Sequence, residues 1–213
     1  MRARILMLTT AILSLAVLAA APARAQQFEA APAPGQSWNG APESAQWSAF
    51  AADAIDAHAP GLLTSTPGDA ATFCPAYASL GGEERRQFWI GFLAALAHAE
   101  SSDDPTRVHW RVYDHDVNRP TFRRGLFQIA IESAHRDAYA CEDAHSADLA
   151  DPKGNIECAV RILNRKIADE NALAQDAKGH VAGAAEYWPT LRDDETRAAI
   201  RQQTAQLDVC RAG

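Results

Sequence analysis

The sequence predicts one mainly α-helical domain behind an N-terminal leader, from three observations. Apolar residues recur at spacings of three and four in several segments, the strand signal is weak throughout, and Glu83 to about Ser101 forms one long helical run. No internal repeat is present, and the chain beyond its leader is long enough for one substantial core but would make two marginal domains.

Residues 1–25 read as a signal peptide. Arg2 and Arg4 precede an apolar stretch from Ile5 to Ala21, and Ala23-Arg24-Ala25 offers the small residues that a signal peptidase accepts. Cleavage after Ala25 is expected, which places the mature protein outside the cytoplasm, periplasmic or secreted; an uncleaved N-terminal anchor is the alternative. Residues 26–44, with Pro32, Pro34 and Pro42, read as a flexible Ala/Pro-rich leader, and residues 45–213 as the folded domain.

Within that domain, Trp47, Phe50, Ala51, Ala54 and Ile55 predict a short helix over Ala45 to Ala59, closed by Pro60-Gly61, with Trp47 as a packing anchor. The long helix follows Gly81-Gly82 and carries acidic residues in its first turn. Its apolar face runs through Trp89, Leu93, Leu96 and Ala97, and Glu100 falls on that same face. Ser102 to Arg124 is charged and lacks a sustained period, so it reads as a long irregular connection with a small β element near Val108 to Tyr113. Later helices are expected at Ile131 to Tyr139, Ile156 to Glu170, Val181 to Leu191 and Asp193 to Asp208, and Asn155 reads as the cap of the second of these.

Cleavage after Ala25 would remove Arg2, Arg4 and Arg24, so 20 basic residues become 17 against 27 acidic ones, a net charge of about -10. That balance opposes nucleic acid and anionic membranes as partners, because neutralising phosphates needs clustered Lys and Arg. Protein partners are not legible. The four cysteines, Cys74, Cys141, Cys158 and Cys210, form no CxxC pair, and in an exported chain an even count reads as disulfides. Three connectivities are open. Cys141 with Cys158 and Cys74 with Cys210 is favoured, since the first closes a modest loop and the second ties the start of the domain to its end. His109 and His115, beside Asp114 and Asp116, lack a ligand spacing such as HExxH and read as an exposed polar loop, so no metal is expected.

Glu100 is the singular residue. A carboxyl closing an apolar helical face has its charged form penalised by desolvation, which raises its pKa and keeps it protonated near neutral pH. Such a group can serve as a general acid; a helix-end Glu held by a salt bridge would be the structural alternative.

The order of segments around Glu100 separates these readings. Ala-His-Ala-Glu100-Ser101-Ser102 is followed by Gly125-Leu126-Phe127-Gln128-Ile129, then Asn155-Ile156 with Ala159 and Ile162-Leu163, then Tyr187-Trp188. Together these resemble the soluble lytic transglycosylases of the goose-lysozyme-like group, over roughly Cys74 to Arg192. The resemblance implies a lysozyme-like fold with a saccharide-binding cleft, and peptidoglycan glycan strands as substrate. Glu100 matches the family's catalytic acid, and Ser101 the neighbour that hydrogen-bonds within the active site. Gly125 and Gln128 match the cleft motif: glycine permits close backbone approach, and the amide both donates and accepts. Turn glycine and backbone-satisfying amide are their structural alternatives. Tyr187 aligns with the Tyr that bonds the catalytic carboxyl, although Ala-Glu-Tyr-Trp stands here in place of Ala-Tyr-Asn. Phe127 stands where relatives often carry Met and reads as core.

The implied reaction cuts the β-1,4 bond between N-acetylmuramic acid and N-acetylglucosamine, leaves a 1,6-anhydro product, and needs no metal or organic cofactor. A goose-type lysozyme using Asp114 or Asp116 to activate water is the enzymatic alternative. An inactive glycan-binding protein is the alternative from another class.

Overall fold

A computed structural model describes residues 38, 40–114, 118–141, 145 and 148–211. The signal-peptide reading therefore lies outside the described residues, as do His115 and Asp116. Among the described residues no helix is long and apolar enough to cross a membrane.

The chain builds α1 (Ser44–His58), α2 (Gly82–Ser101), a hairpin of β1 (Val108–Asp114) and β2 (Arg119–Arg124), and a two-residue β3 (Ile129–Ala130). The one-turn helix α3 (Ile131–Ala134) follows, then α4 (Pro152–Glu170), the one-turn α5 (Ala184–Tyr187) and α6 (Asp194–Ala205). Short 3-10 turns join these elements.

Helix α2 is the axis of the fold. Every residue from Phe88 to Ala97 is buried, so the helix is covered on all sides rather than along one stripe. Glu84 starts it by accepting a 2.7 Å hydrogen bond from the Gly81 N–H, and Ser102 stops it in the left-handed conformation. Around it, α1 packs on α4, and α6 and the C-terminal turn pack on α2. At Gly91 the approach is so close that a Cβ would stand 2.6 Å from a methyl of Leu207. The aromatic side chains Phe73, Tyr77, Phe88, Trp89 and Phe92 meet edge-to-face in the same core, and the Trp89 indole donates to the Leu62 carbonyl at 2.9 Å.

Both favoured disulfides are present. Cys74–Cys210 joins residues 136 apart in sequence, and Cys141–Cys158 ties the segment after α3 to α4.

Several expectations need correction. The small β element expected near Val108 to Tyr113 is β1, but the rest of the connection from Ser102 to Arg124 is not irregular: β1 pairs with β2 as an antiparallel hairpin in a three-stranded sheet of order β1-β2-β3, with Val108 opposite Arg124 and Asp114 opposite Arg119. Its charges hid it, because a two-stranded surface ribbon needs no continuous apolar face. The helix expected over Ile131 to Tyr139 is a single turn, and that over Val181 to Leu191 is α5 followed by a 3-10 turn at Pro189–Leu191. Pro189 has no N–H to extend α5. Helix α4 begins four residues before Ile156: Pro152 opens it and Asp151 caps it, accepting from the Gly154 N–H at 3.2 Å. Asn155 lies inside the helix. The leader ends earlier than expected as well, since Trp38 is fully buried, packs edge-on against Trp47 and donates to the Ser48 hydroxyl at 3.0 Å.

Candidate active site

Glu100 lies in the last turn of α2, just beyond its continuous buried run, and is itself 9% exposed. The Thr190 hydroxyl, on the turn after α5, donates to its Oε1 at 2.5 Å. Arg123, buried on β2, adds a positive charge nearby. Desolvation dominates over both, and the Glu100 pKa is pushed up to about 7. The carboxyl can therefore hold a proton at neutral pH and can also release it. Because Thr190 donates to Oε1, the proton of the neutral acid belongs on Oε2.

The other expected site residues fall into one connected network. Ser101 is fully buried, with its hydroxyl donating to the Ala97 carbonyl of its own helix at 3.0 Å. Its carbonyl accepts from the Arg107 guanidinium at 2.8 Å. The Arg107 carbonyl in turn accepts from the Gly125 N–H at 3.1 Å and from Gln128 Nε2 at 3.2 Å. Gln128 Nε2 also donates to the Gly125 carbonyl at 2.8 Å, which orients the amide, and Oε1 has no hydrogen-bond partner among the described residues. The amide thus braces the turn with its nitrogen and keeps an acceptor in reserve.

Gly125 sits at φ +75°, and a Cβ there would stand 2.3 Å from the Leu149 carbonyl oxygen and 2.4 Å from Asn155 Nδ2. The glycine is required by packing of this turn onto α4. Asn155 holds the turn from that side: Oδ1 accepts from the Phe127 N–H at 2.8 Å, and Nδ2 donates to the carbonyls of Arg124 at 3.1 Å and Leu149 at 2.8 Å. An Asn inside the first turn of a helix with three bonds to loop backbone is a clamp, which corrects its reading as a cap. Phe127 is core, as expected.

Tyr187 is buried, lies edge-to-face on Trp188 and Tyr139, and carries the Arg123 guanidinium 5.4 Å above its ring. Trp188 donates its indole N–H to the Phe127 carbonyl at 3.0 Å. Tyr187 is thereby joined to the Glu100 region through Arg123. Thr190 and Arg123 were not singled out in the sequence. Arg123 had no signal, because hydrophobic alternation in Thr121-Phe122-Arg123 would turn Phe122 inward, whereas the strand buries Thr121 and Arg123 and exposes Phe122. Thr190 had none, because the turn carrying it is set by how the segment after α5 crosses the end of α2. No group of three or more His, Cys, Asp or Glu placed to hold a metal occurs among the described residues.

The chain thus combines a mainly helical, lysozyme-like fold carrying a small antiparallel sheet with a buried, proton-holding glutamate at the end of its central helix. The Transglycosylase SLT domain family matches residues 79–200, more than half of the chain, and the chain belongs to that family. Similar solved structures include wild-type DslA, form 2, at 31% identity and TM-score 0.72, covering 80% of this chain and 94% of that one. A glutamate-to-glutamine mutant of DslA matches at 30% identity and TM-score 0.73, covering 81% and 94%. No curated protein matches the chain. Family membership makes this a peptidoglycan-active fold of the lytic transglycosylase type.

Proposed function

We propose that the protein is an exported lytic transglycosylase that cuts the MurNAc-β-1,4-GlcNAc bond of peptidoglycan with Glu100 as its acid and base. The observation that carries this reading is the Glu100 carboxyl itself: buried, with a pKa near 7, at the helix end where the family places its catalytic acid.

Glu100 protonates the glycosidic oxygen as the bond to the anomeric carbon breaks, and the N-acetyl carbonyl of the muramic acid shields the developing positive charge. The glutamate, now anionic, takes the proton of the same sugar's 6-hydroxyl, whose oxygen closes the 1,6-anhydro ring. A pKa near neutrality suits a group that must first give and then take a proton. Thr190 keeps the carboxyl oriented, and Arg123 steadies its anionic state between the two steps. Ser101, Gly125 and Gln128, all buried, brace the turn behind Glu100 and so fix where the carboxyl meets the sugar, and Tyr187 joins that bracing through Arg123.

Two disulfides suit an oxidising compartment. Mass spectrometry of muropeptides released from purified sacculi by residues 26–213 tests the whole reading. Anhydro-muropeptides are expected; reducing-end products alone would establish a hydrolase, and no products a binding protein.

A further inference from the structure

The hairpin has a second face that the active site does not use. Along β2, Thr121 and Arg123 are buried on the side of Glu100 and Tyr187, so Phe122 between them points the opposite way and is 38% exposed. Trp110 of β1 is 74% exposed, and its ring meets that of Phe122 edge-to-face at 4.9 Å. The strand pairing shifts between His109 and Val112, and this bulge brings Tyr113, opposite Pro120, onto the same side as Trp110 despite their odd spacing. Tyr113 is 45% exposed, and the Arg124 guanidinium lies 5.9 Å above the Phe122 ring.

A tryptophan left this open on a surface ribbon loses the burial that would otherwise favour it, and an aromatic cluster of this kind marks a contact surface. Its chemistry narrows the occupant. Aromatic rings stack on the C–H faces of pyranose sugars, and arginines pair with carboxylates. Arg124 brings a positive charge to these rings, inside a chain whose formal net charge is -7. That sign beside an aromatic face suits a glycan bearing anionic stem peptides. The hairpin is also continuous with the active-site wall, because β2 runs directly into Gly125 and the base of β1 is bonded to Ser101 and Gln128 through Arg107. A polymer held at Glu100 has further length to lay across it.

We infer that the outer face of the hairpin, centred on Trp110 and Phe122 with Tyr113 and Arg124 beside them, is a second, non-catalytic binding site for a peptidoglycan strand. It rests on the proposed substrate and holds the enzyme on the sacculus between cuts.

The test uses the full mature chain carrying Glu100→Gln, which binds without cutting, with and without Trp110→Ala and Phe122→Ala together. Calorimetric titration with a soluble, uncrosslinked muro-oligosaccharide is expected to show two classes of site in the first protein and one in the second. Retention on sacculi should fall by about tenfold, the loss typical of an exposed aromatic anchor, and Trp110→Tyr should restore most of it. Near-equal unfolding transitions check the fold. Unchanged retention overturns the inference. So does a single site that the double substitution abolishes, which would make these rings part of the catalytic cleft, or retention on anionic vesicles with none on sacculi. If the native chain releases no muropeptide while Glu100→Gln still shows two sites, the catalytic reading fails and this one stands.

Discussion

Replacing Glu100 by glutamine should separate catalysis from stability, and the structure sets the size and sign of both effects. Burial raises the Glu100 pKa from 4.5 to about 7. Below pH 4.5 the carboxyl is protonated in the folded and the unfolded chain alike. Between 4.5 and about 7 the unfolded chain ionises while the folded one stays protonated, so stability falls as pH rises, and above about 7 the loss is complete. At about 1.4 kcal/mol per pKa unit this amounts to about 3 kcal/mol. Glutamine keeps the shape, can still accept from Thr190, and does not ionise. Glu100→Gln should therefore match the wild type near pH 4 and exceed it by about 3 kcal/mol at pH 8.5, while muropeptide release falls by roughly a hundredfold or more. Chemical denaturation of both proteins at the two pH values, with turnover on sacculi, provides the measurements. A stability difference that does not change with pH would refute the burial argument, and near-normal turnover by the folded variant would remove Glu100 from the mechanism.

Thr190→Val removes the hydrogen bond that lowers the Glu100 pKa, so the alkaline limb of the pH–rate profile should move upward while kcat falls by about tenfold through lost orientation; Thr190→Ser should restore both, and an unmoved limb counts against the contact. Peptide mapping of exported protein should find Cys74 joined to Cys210 and Cys141 to Cys158, and removing either bridge should cost about 2 to 5 kcal/mol in unfolding experiments. Alkylation of all four cysteines without reduction would contradict this. Gly125→Ala meets both a positive φ and the Leu149 carbonyl oxygen at 2.3 Å, so it should lower stability by roughly 3 kcal/mol or more, visible as a depressed thermal transition; a near-native transition would show that the turn is free to shift. An Asp114→Asn, Asp116→Asn double variant should keep substantial activity and still release anhydro-muropeptides, because ring closure needs no second carboxylate. A dead variant of an enzyme that yields reducing ends would favour the lysozyme mechanism instead.

The mainly helical class, the central helix and the position of Glu100 were legible in the sequence because they rest on local order. A long apolar run with acidic residues at its start forms a buried helix almost regardless of context, and a lone carboxyl at its end is conspicuous. The segment order after Glu100 carried the family in the same way. The two disulfide pairs needed only the argument that one closes a short loop and the other spans the domain. The hairpin was obscured because charged, exposed strands do not alternate in hydrophobicity, and its bulge breaks whatever alternation remains. Asn155 looked like a cap because its backbone position was misjudged by four residues; its three bonds to the Gly125 turn depend on β2 and α4 meeting side by side. Trp38 lies within the proline-rich stretch, and its ring meets Trp47 and Phe127 while its indole bonds Ser48, partners that only the folded chain brings to it. The tuning of Glu100 was decided by tertiary structure alone: Thr190 and Arg123 lie 90 and 23 positions away in the chain, and only the packing of β2 and the turn after α5 around the end of α2 sets burial against one hydrogen bond and one charge.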